Sequence, residues 1–349
     1  MDRPEMATPS DMTRTTSRTA LAEEFIARSP WSGARRMPLA GDASARRYER
    51  LTDQDAGRTA VFMDAPPDGG ETIERFVELA QHLRSIGLSA PEILFSDADH
   101  GFLLLEDLGD DLFARVIDRA PDLERPLYEA ATDLLISLRD TPLPAGLESF
   151  GPTVMAEKTA IAFEHYVEGI TGDARPETMT RFIERFESLL YRITQGPKVL
   201  ILRDYHAENL IWLPDRQGLA RVGLLDFQDA VTGHPAYDLV SLLQDIRRDV
   251  STATEMRMID RFIAATGAND HEFRTAYPVL GVQRNLRILG VFARLSRELG
   301  KTRYLALMPA VWAHLLRDLE HPALAGVADL LRETLPPPTP ENLARLNPT

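Results

Sequence analysis

Cysteine is absent from this 349-residue chain. That excludes disulfides, thiolate metal sites and a cysteine nucleophile, and it suits a cytoplasmic protein. No apolar run reaches the roughly 18 residues that a membrane-crossing helix needs, and no apolar signal core follows Met1. Positive charge is in short supply as well. Lys and Arg number 39 against 53 Asp and Glu, for a net charge of −14 and a pI of about 5.1. Such a balance argues against nucleic acid as a partner. It does not exclude a nucleotide, because magnesium and a few local donors can neutralise phosphates. No internal repeat is present. With 44% hydrophobic and 26% charged residues, the chain has the composition of a globular protein and the length for two lobes with a sizeable core.

What the sequence does have is concentrated between Leu200 and Asp238, LILRDYHAENLIWLPDRQGLARVGLLDFQDAVTGHPAYD. Asp204 and Asn209 stand in the order D-x-x-x-x-N, and Asp226 follows the apolar run Val222-Gly223-Leu224-Leu225. Both acids therefore come directly after strand-like segments, where a scaffold can hold polar side chains at a cleft rim. Alone, an Asp and an Asn at this spacing would be turn caps. Together with D-F-x-D and G-x-P-x-x-D-L they match the needs of phosphoryl transfer. That chemistry asks for a carboxylate to receive the acceptor hydroxyl's proton and for oxygen ligands to magnesium.

Here the chain resembles the aminoglycoside phosphotransferase superfamily, the small-molecule relatives of protein kinases. The family loop H-G-D-x-H-x-x-N is similar to Leu202-Arg203-Asp204-Tyr205-His206-Ala207-Glu208-Asn209, with Leu202 and Arg203 in place of the first His and the Gly. The strings GDASARRY, GFLLLEDLG, LRDYHAENLIWL, VGLLDFQDAVTGHPAYDLVSLLQD and QRNLRILGVFARL look further like the bacterial anomeric amino-sugar kinases, from about Leu21 to about Leu331. The resemblance implies an α+β, bilobal protein-kinase-like fold with an antiparallel-sheet N-lobe and a mainly helical C-lobe. It implies ATP and Mg2+ as cofactors, and N-acetylmuramate or N-acetylglucosamine as the small-molecule partner, phosphorylated on the anomeric hydroxyl for cell-wall recycling. Neither nucleic acid nor a membrane is an expected partner, and the state expected is a monomer. Asp204 takes the catalytic role, and Asn209 and Asp226 bind the metal. Two other readings are a kinase of another hydroxylated small molecule, such as an aminoglycoside, and a non-catalytic nucleotide-binding regulator.

In chain order, residues 1–18 lack periodicity and read as a disordered leader, with a short helix from Thr19 to Ala27. The N-lobe spans 19–108. Pro38 to Leu51 reads as strand, tight loop, strand. Gly41 and Ser44 sit in the loop that would cover the nucleotide phosphates, and Arg46 and Arg47 enter the next strand. Thr59 to Asp64 is a strand in which Met63 stands where the resemblance places a phosphate-pairing Lys. Either Arg46 or Arg47 substitutes, since only one of two consecutive strand residues can face inward, or the site relies mainly on magnesium. A helix follows over Thr72 to Ile86, then strands over Ile93 to Phe95 and Phe102 to Leu105. Glu106 and Leu108 lie in the expected hinge, where backbone groups read adenine.

The C-lobe spans 109–335 and carries successive helical stripes. A helix runs from Leu239 to Asp249, and Asp238 just before it either caps that helix or braces the Asp204 loop. His206 and Asp229 are candidate substrate residues. So are Gln283, Arg284 and Arg287 on the long helix from Phe273 to Leu299, where Gln283 and Arg287 share a face at i, i+4. Arg284 and Arg287 are the expected partners for the lactyl carboxylate of N-acetylmuramate. Residues 336–349 form a Pro-rich tail, read as disordered.

Overall fold

A computed structural model of the chain describes residues 9–39, 46–67 and 73–348, with side chains from Arg18 onward. Gly41 and Ser44 lie outside the described residues. The chain divides into two compact units. The first is Met1–Asp110 with Leu213–Gln228, and the second is Asp111–Trp212 with Asp229–Thr349. The first unit's leading segment ends at Asp110, and Leu213–Gln228 belongs to that unit as well. Hydrogen bonds account for it. Leu224 donates its N–H to the Ser89 carbonyl at 2.9 Å, Ser89 Oγ donates to the Ala220 carbonyl at 2.6 Å, and Arg216 donates to Ser89 Oγ and the Glu106 carboxylate.

In the first unit, strands β1 (Arg35–Pro38), β2 (Arg47–Asp53), β3 (Arg58–Asp64), β4 (Ile93–Asp97) and β5 (Phe102–Glu106) form one antiparallel sheet in the order β1-β2-β3-β5-β4. Strand alternation puts Leu51, Ala60, Phe62, Phe102 and Leu104 in one buried cluster with Ala22, Phe25 and Ile26 of the N-terminal helix. The Phe25 ring lies 5.8 Å from Phe62, 5.1 Å from Phe95 and 5.5 Å from Phe102. Burying such a ring stabilises by about 2–3 kcal/mol. That helix covers Pro9–Ala27, so it begins ten residues before the expected Thr19, inside the stretch read as a disordered leader. Arg18 shows one reason: its guanidinium donates to Asp64 at 2.9 Å and stacks 4.3 Å over Phe102. The helix Ile73–Ser85 buries Ile73, Phe76, Leu79, Ala80 and Leu83.

The second unit is largely helical and is organised around the helix Asp270–Leu299. Asn269 caps it by accepting the Glu272 N–H at 3.0 Å, and Gly300, at φ +65°, ends it. The helices Ala236–Leu243 and Met308–Asp318 and the π-helical turn Ala162–Val167 pack on it. Gly290 is the contact with the Ala162 turn: a Cβ there would lie 2.4 Å from the Ile161 carbonyl.

Two readings are corrected here. The helix expected to run to Asp249 stops at Leu243. The Pro-rich tail is ordered over its described residues 336–348: Tyr166 donates its hydroxyl to the Pro336 carbonyl at 2.7 Å, Arg345 donates to the Ile170 carbonyl at 3.1 Å, and Leu346 is fully buried. Among the described residues no helix is long and apolar enough to cross a membrane.

Candidate active site

In the second unit, Val199–Ile201 pairs antiparallel with Val231–Gly233, which sets the start of the Leu202–Asn209 loop. Asp238, fully buried in the first turn of the helix Ala236–Leu243, accepts the Leu202 N–H at 2.5 Å and the Arg203 N–H at 2.9 Å. Ser241 Oγ donates to the Arg203 carbonyl at 3.0 Å. Of the two roles read for Asp238, the structure shows the brace: the residue lies inside the helix, not before it. Burial pushes its carboxyl up to about 7, against the pull of the two N–H donors. Tyr205, fully buried, anchors the far side by donating to the Ala131 carbonyl at 2.8 Å. Arg203 sits at φ +70°, a conformation in which glycine costs little and arginine is strained. Its guanidinium reaches the Asp229 carbonyl at 3.4 Å and lies 5.7 Å from the Phe150 ring centroid.

Asn209 Nδ2 donates to the Asp204 carbonyl at 2.9 Å. The amide nitrogen is thereby committed, and Asn209 Oδ1 accepts no hydrogen bond from the described residues. The Asp204 carboxylate is half-buried and likewise bonded to none of them. A carboxylate in this state can accept a proton from an incoming hydroxyl. His206 is buried, and burial lowers its value to about 4. Its Nε2 faces two donors at 3.4 Å, Asn209 Nδ2 and Arg247 Nη1. The ring is therefore neutral, with the hydrogen assigned to Nδ1 from this network. Arg247 also pairs with Glu208 at 2.8 Å and donates its backbone N–H to Asp245 Oδ1 at 2.9 Å.

The remaining candidates of this unit separate. Arg284 is buried, and burial lowers its guanidinium pKa, while Asp204 and Asp245 are among the charges that pull it back up. Gln283 is fully buried and donates to the Met155 carbonyl at 3.0 Å. Arg287 is half-buried and lines a groove of about 410 Å³ with Glu157, Lys158, Glu164, His165 and Arg294. The i, i+4 pair therefore forms no exposed edge: one member is sealed and the other opens elsewhere. Asp229 is exposed.

In the first unit, Asp226 follows the strand Val222–Leu224, is exposed, and has φ +56°. Phe227, buried, stacks on Phe76 at 4.9 Å and fixes the backbone beside it. Gln228 Nε2 donates to Asp226 Oδ1 at 2.7 Å. Of the two arginines that follow the undescribed loop, Arg46 is buried and Arg47 exposed. Met63 is fully buried, in register with Tyr48 and Leu103. The Glu106 carboxylate is taken up by Arg216 and Arg84, which leaves only backbone at that position for a base to read. Leu108 is buried next to it.

Among the described residues no group of three or more His, Asp or Glu could hold a metal. Magnesium asks for less: it prefers hard oxygens, takes one or two from protein, and keeps water or phosphate for the rest. The amide oxygen of Asn209 and the carboxylate of Asp226 are donors of that type. Asp245 and Arg247 escaped the sequence reading. They lie past the end of the helix Ala236–Leu243. Asp245 closes one of the strings that carry the resemblance but has no legible role there, and nothing in the sequence marks Arg247.

Residues 36–277 match the model of the phosphotransferase enzyme family. A curated protein of Caulobacter vibrioides called N-acetylmuramate/N-acetylglucosamine kinase is 38% identical over 352 aligned positions, covering 90% of this chain and 96% of its own. The fold is similar to that of a solved choline/ethanolamine kinase family protein from Mesorhizobium loti (TM-score 0.59, 15% identity, 90% of this chain and 99% of that one). It is similar also to an aminoglycoside 2′-phosphotransferase solved with GDP (TM-score 0.61, 15% identity, 88% and 99%). The α+β kinase-like fold is thereby established, and the chain belongs to the phosphotransferase enzyme family.

Proposed function

We propose that the protein transfers the γ-phosphoryl group of ATP to the anomeric hydroxyl of N-acetylmuramate or N-acetylglucosamine. The product would be a sugar 1-phosphate that returns cell-wall amino sugars to UDP-sugar synthesis. The observation that carries this reading is the Asp204 carboxylate, left free by a loop whose backbone is pinned on both sides, in a chain 38% identical to a kinase named for these two sugars. Asp204 accepts the proton of the sugar hydroxyl as its oxygen attacks phosphorus. Asn209 and Asp226 are the oxygen ligands that would hold magnesium, which offsets charge on the β- and γ-phosphates when bound. Arg46, the buried one of the arginine pair, is the cation proposed to stand in for the lysine that Met63 replaces. The substrates are soluble small molecules, and the enzyme is proposed to meet them in the cytoplasm as a monomer.

An aminoglycoside acceptor has no observation in its favour beyond the shared fold. The test is ATP turnover by the full chain, with and without Mg2+, on N-acetylmuramate, N-acetylglucosamine, glucosamine and an aminoglycoside, with the product's phosphate position read by NMR. Magnesium-dependent formation of a 1-phosphate from an N-acetylated sugar is expected. Turnover of the aminoglycoside alone, or phosphate on another hydroxyl, would sink the proposal.

A further inference from the structure

Several polar atoms on buried side chains around the Asp204 loop have no hydrogen bond among the described residues: Arg284 Nη1, Asp245 Oδ2 and His206 Nδ1, with Gln283 Oε1 and Asn285 Oδ1 beside Arg284 on its helix. The first three belong to residues exposed by only 3–5%. Buried polar atoms are nearly always paired, so orphans gathered in one neighbourhood ask what completes them. That these belong to one neighbourhood follows from the bonds beside them. Asn285 Nδ2 donates to Gln244 Oε1 at 2.9 Å and ties the residue after Arg284 to the residue before Asp245. Gly281, one turn earlier, brings the helix so close that a Cβ would lie 3.0 Å from Gln244 Nε2. From Asp245, the Arg247 N–H and then the Arg247 guanidinium lead to His206 Nε2 and so to Asn209 and Asp204. The charges of Asp204, Asp245 and Arg284 all act on His206.

Arg284 is the unusual member. A buried guanidinium without a direct ion pair is costly, and Arg284 Nη1 has no hydrogen bond among the described residues although Asp204 and Asp245 act on its charge. An arginine kept only to neutralise Asp245 would be expected to clasp it with two N–H groups. What the group retains instead is a spare, pre-placed donor near the residue proposed to deprotonate the substrate.

We propose that Arg284, Asp245 and His206 form the acceptor subsite, with Arg284 receiving the carboxylate of an acidic sugar. The inference rests on the amino-sugar kinase reading above. N-acetylmuramate is N-acetylglucosamine carrying a lactate ether on O3, so its carboxylate lies a few bond lengths across the ring from the anomeric hydroxyl. A hydroxyl oriented by Asp204 therefore places that carboxylate within the same small volume. Asp245 Oδ2 can accept from a ring hydroxyl, and His206 Nδ1–H can donate to a ring or acyl oxygen. Arg287 is a poorer partner, because it opens into a groove whose lining includes none of Asp204, His206 and Asp245.

The test compares Arg284→Met with wild type on N-acetylmuramate, its neutral carboxamide and N-acetylglucosamine, at saturating ATP. Wild type should favour the acid over the carboxamide by about 10- to 100-fold in kcat/KM, the size of one charge-assisted hydrogen bond. Arg284→Met should erase that preference and lower the N-acetylmuramate to N-acetylglucosamine ratio by the same factor. Equal losses on all three acceptors, or a preserved acid preference, would overturn the assignment. Equal wild-type kcat/KM for acid and carboxamide would also overturn it. If Arg284→Met does not fold, Arg284→Lys, which keeps the charge but not the paired donors, is put through the same comparison. It should shrink the acid preference while leaving the carboxamide and N-acetylglucosamine less affected, and an unchanged acid preference would overturn the assignment. Wild type that phosphorylates none of the three sinks the parent reading instead, and is told apart by that.

Discussion

The loops that carry Asp204 and Asp226 both contain a non-glycine residue in the left-handed region, Arg203 at φ +70° and Asp226 at φ +56°, yet they sustain it differently. Around Arg203 the backbone is clamped: its N–H goes to Asp238, its carbonyl takes a bond from Ser241, and Tyr205 is sunk into the helices beyond. Around Asp226 the anchor is apolar, the Phe227–Phe76 stack, and the carboxylate itself is exposed, with a bond from neighbouring Gln228. Aspartate tolerates the left-handed region better than arginine does, so less is needed to hold it. The comparison suggests a division of labour. A base must be placed to a fraction of an ångström before the substrate arrives. A metal ligand can adjust as its ion binds.

The largest expected effect tests that division directly. Asp204→Asn should cut kcat by about 10² or more at unchanged ATP KM, at every magnesium concentration, since it removes the proposed base. Asp226→Ala should instead raise the magnesium needed for half-maximal rate, with much of the lost rate regained at high Mg2+. Initial rates across a Mg2+ titration at fixed ATP distinguish them. An Asp204→Asn enzyme rescued by magnesium would reverse the two roles.

A smaller effect comes from His206, whose buried ring belongs to the clamped loop. Its folded value of about 4 lies below the ordinary 6.5, so between those values the unfolded chain binds more protons than the folded one. The stability it contributes is therefore complete above pH 6.5 and is lost as pH falls toward 4, about 2 kcal/mol of it by pH 5. Urea unfolding at pH 7.5 and pH 5 should show this loss, and His206→Gln should reduce it by about that amount. A mutant with the wild-type pH dependence would show that His206 takes up its proton without opposing the fold.

How far the sequence could foresee this depends on whether the cause is local. Strands β3 and β5 and the helix Ile73–Ser85 declare themselves by alternation or by a stripe, and each was found within one or two residues of its ends. Asp204, Asn209 and Asp238 are legible because a motif fixes their spacing. The pairing of Arg18 with Asp64, the burial of Leu346, and the return of Leu213–Gln228 to the first unit depend on partners far along the chain, which no local pattern encodes. The same is true of Arg284. On a long helix an arginine is ordinarily a surface residue whose stem packs and whose head reaches water. Only the fold shows that this head is buried, with Asp204 and Asp245 among the charges that act on it.

The smallest effect bears on the strain itself. At Arg203 the left-handed backbone costs about 1–2 kcal/mol for any side chain with a Cβ, and glycine escapes it. Glycine also loosens the unfolded chain, which returns about 0.4–1 kcal/mol of that gain, and it surrenders the contacts of the guanidinium with Phe150 and the Asp229 carbonyl. Arg203→Gly should therefore change stability little. Arg203→Ala loses the same contacts and keeps the strain, so it should be less stable than Arg203→Gly by up to about 1 kcal/mol, the reverse of the order at a loop position with negative φ. Both variants keep the backbone N–H and carbonyl that Asp238 and Ser241 hold, so kcat should stay within a few-fold of wild type in each. Urea unfolding of the pair measures the gap. If alanine proves as stable as glycine, the loop has relaxed out of the left-handed region, and a lower kcat in the same variant would show that Asp204 moved with it.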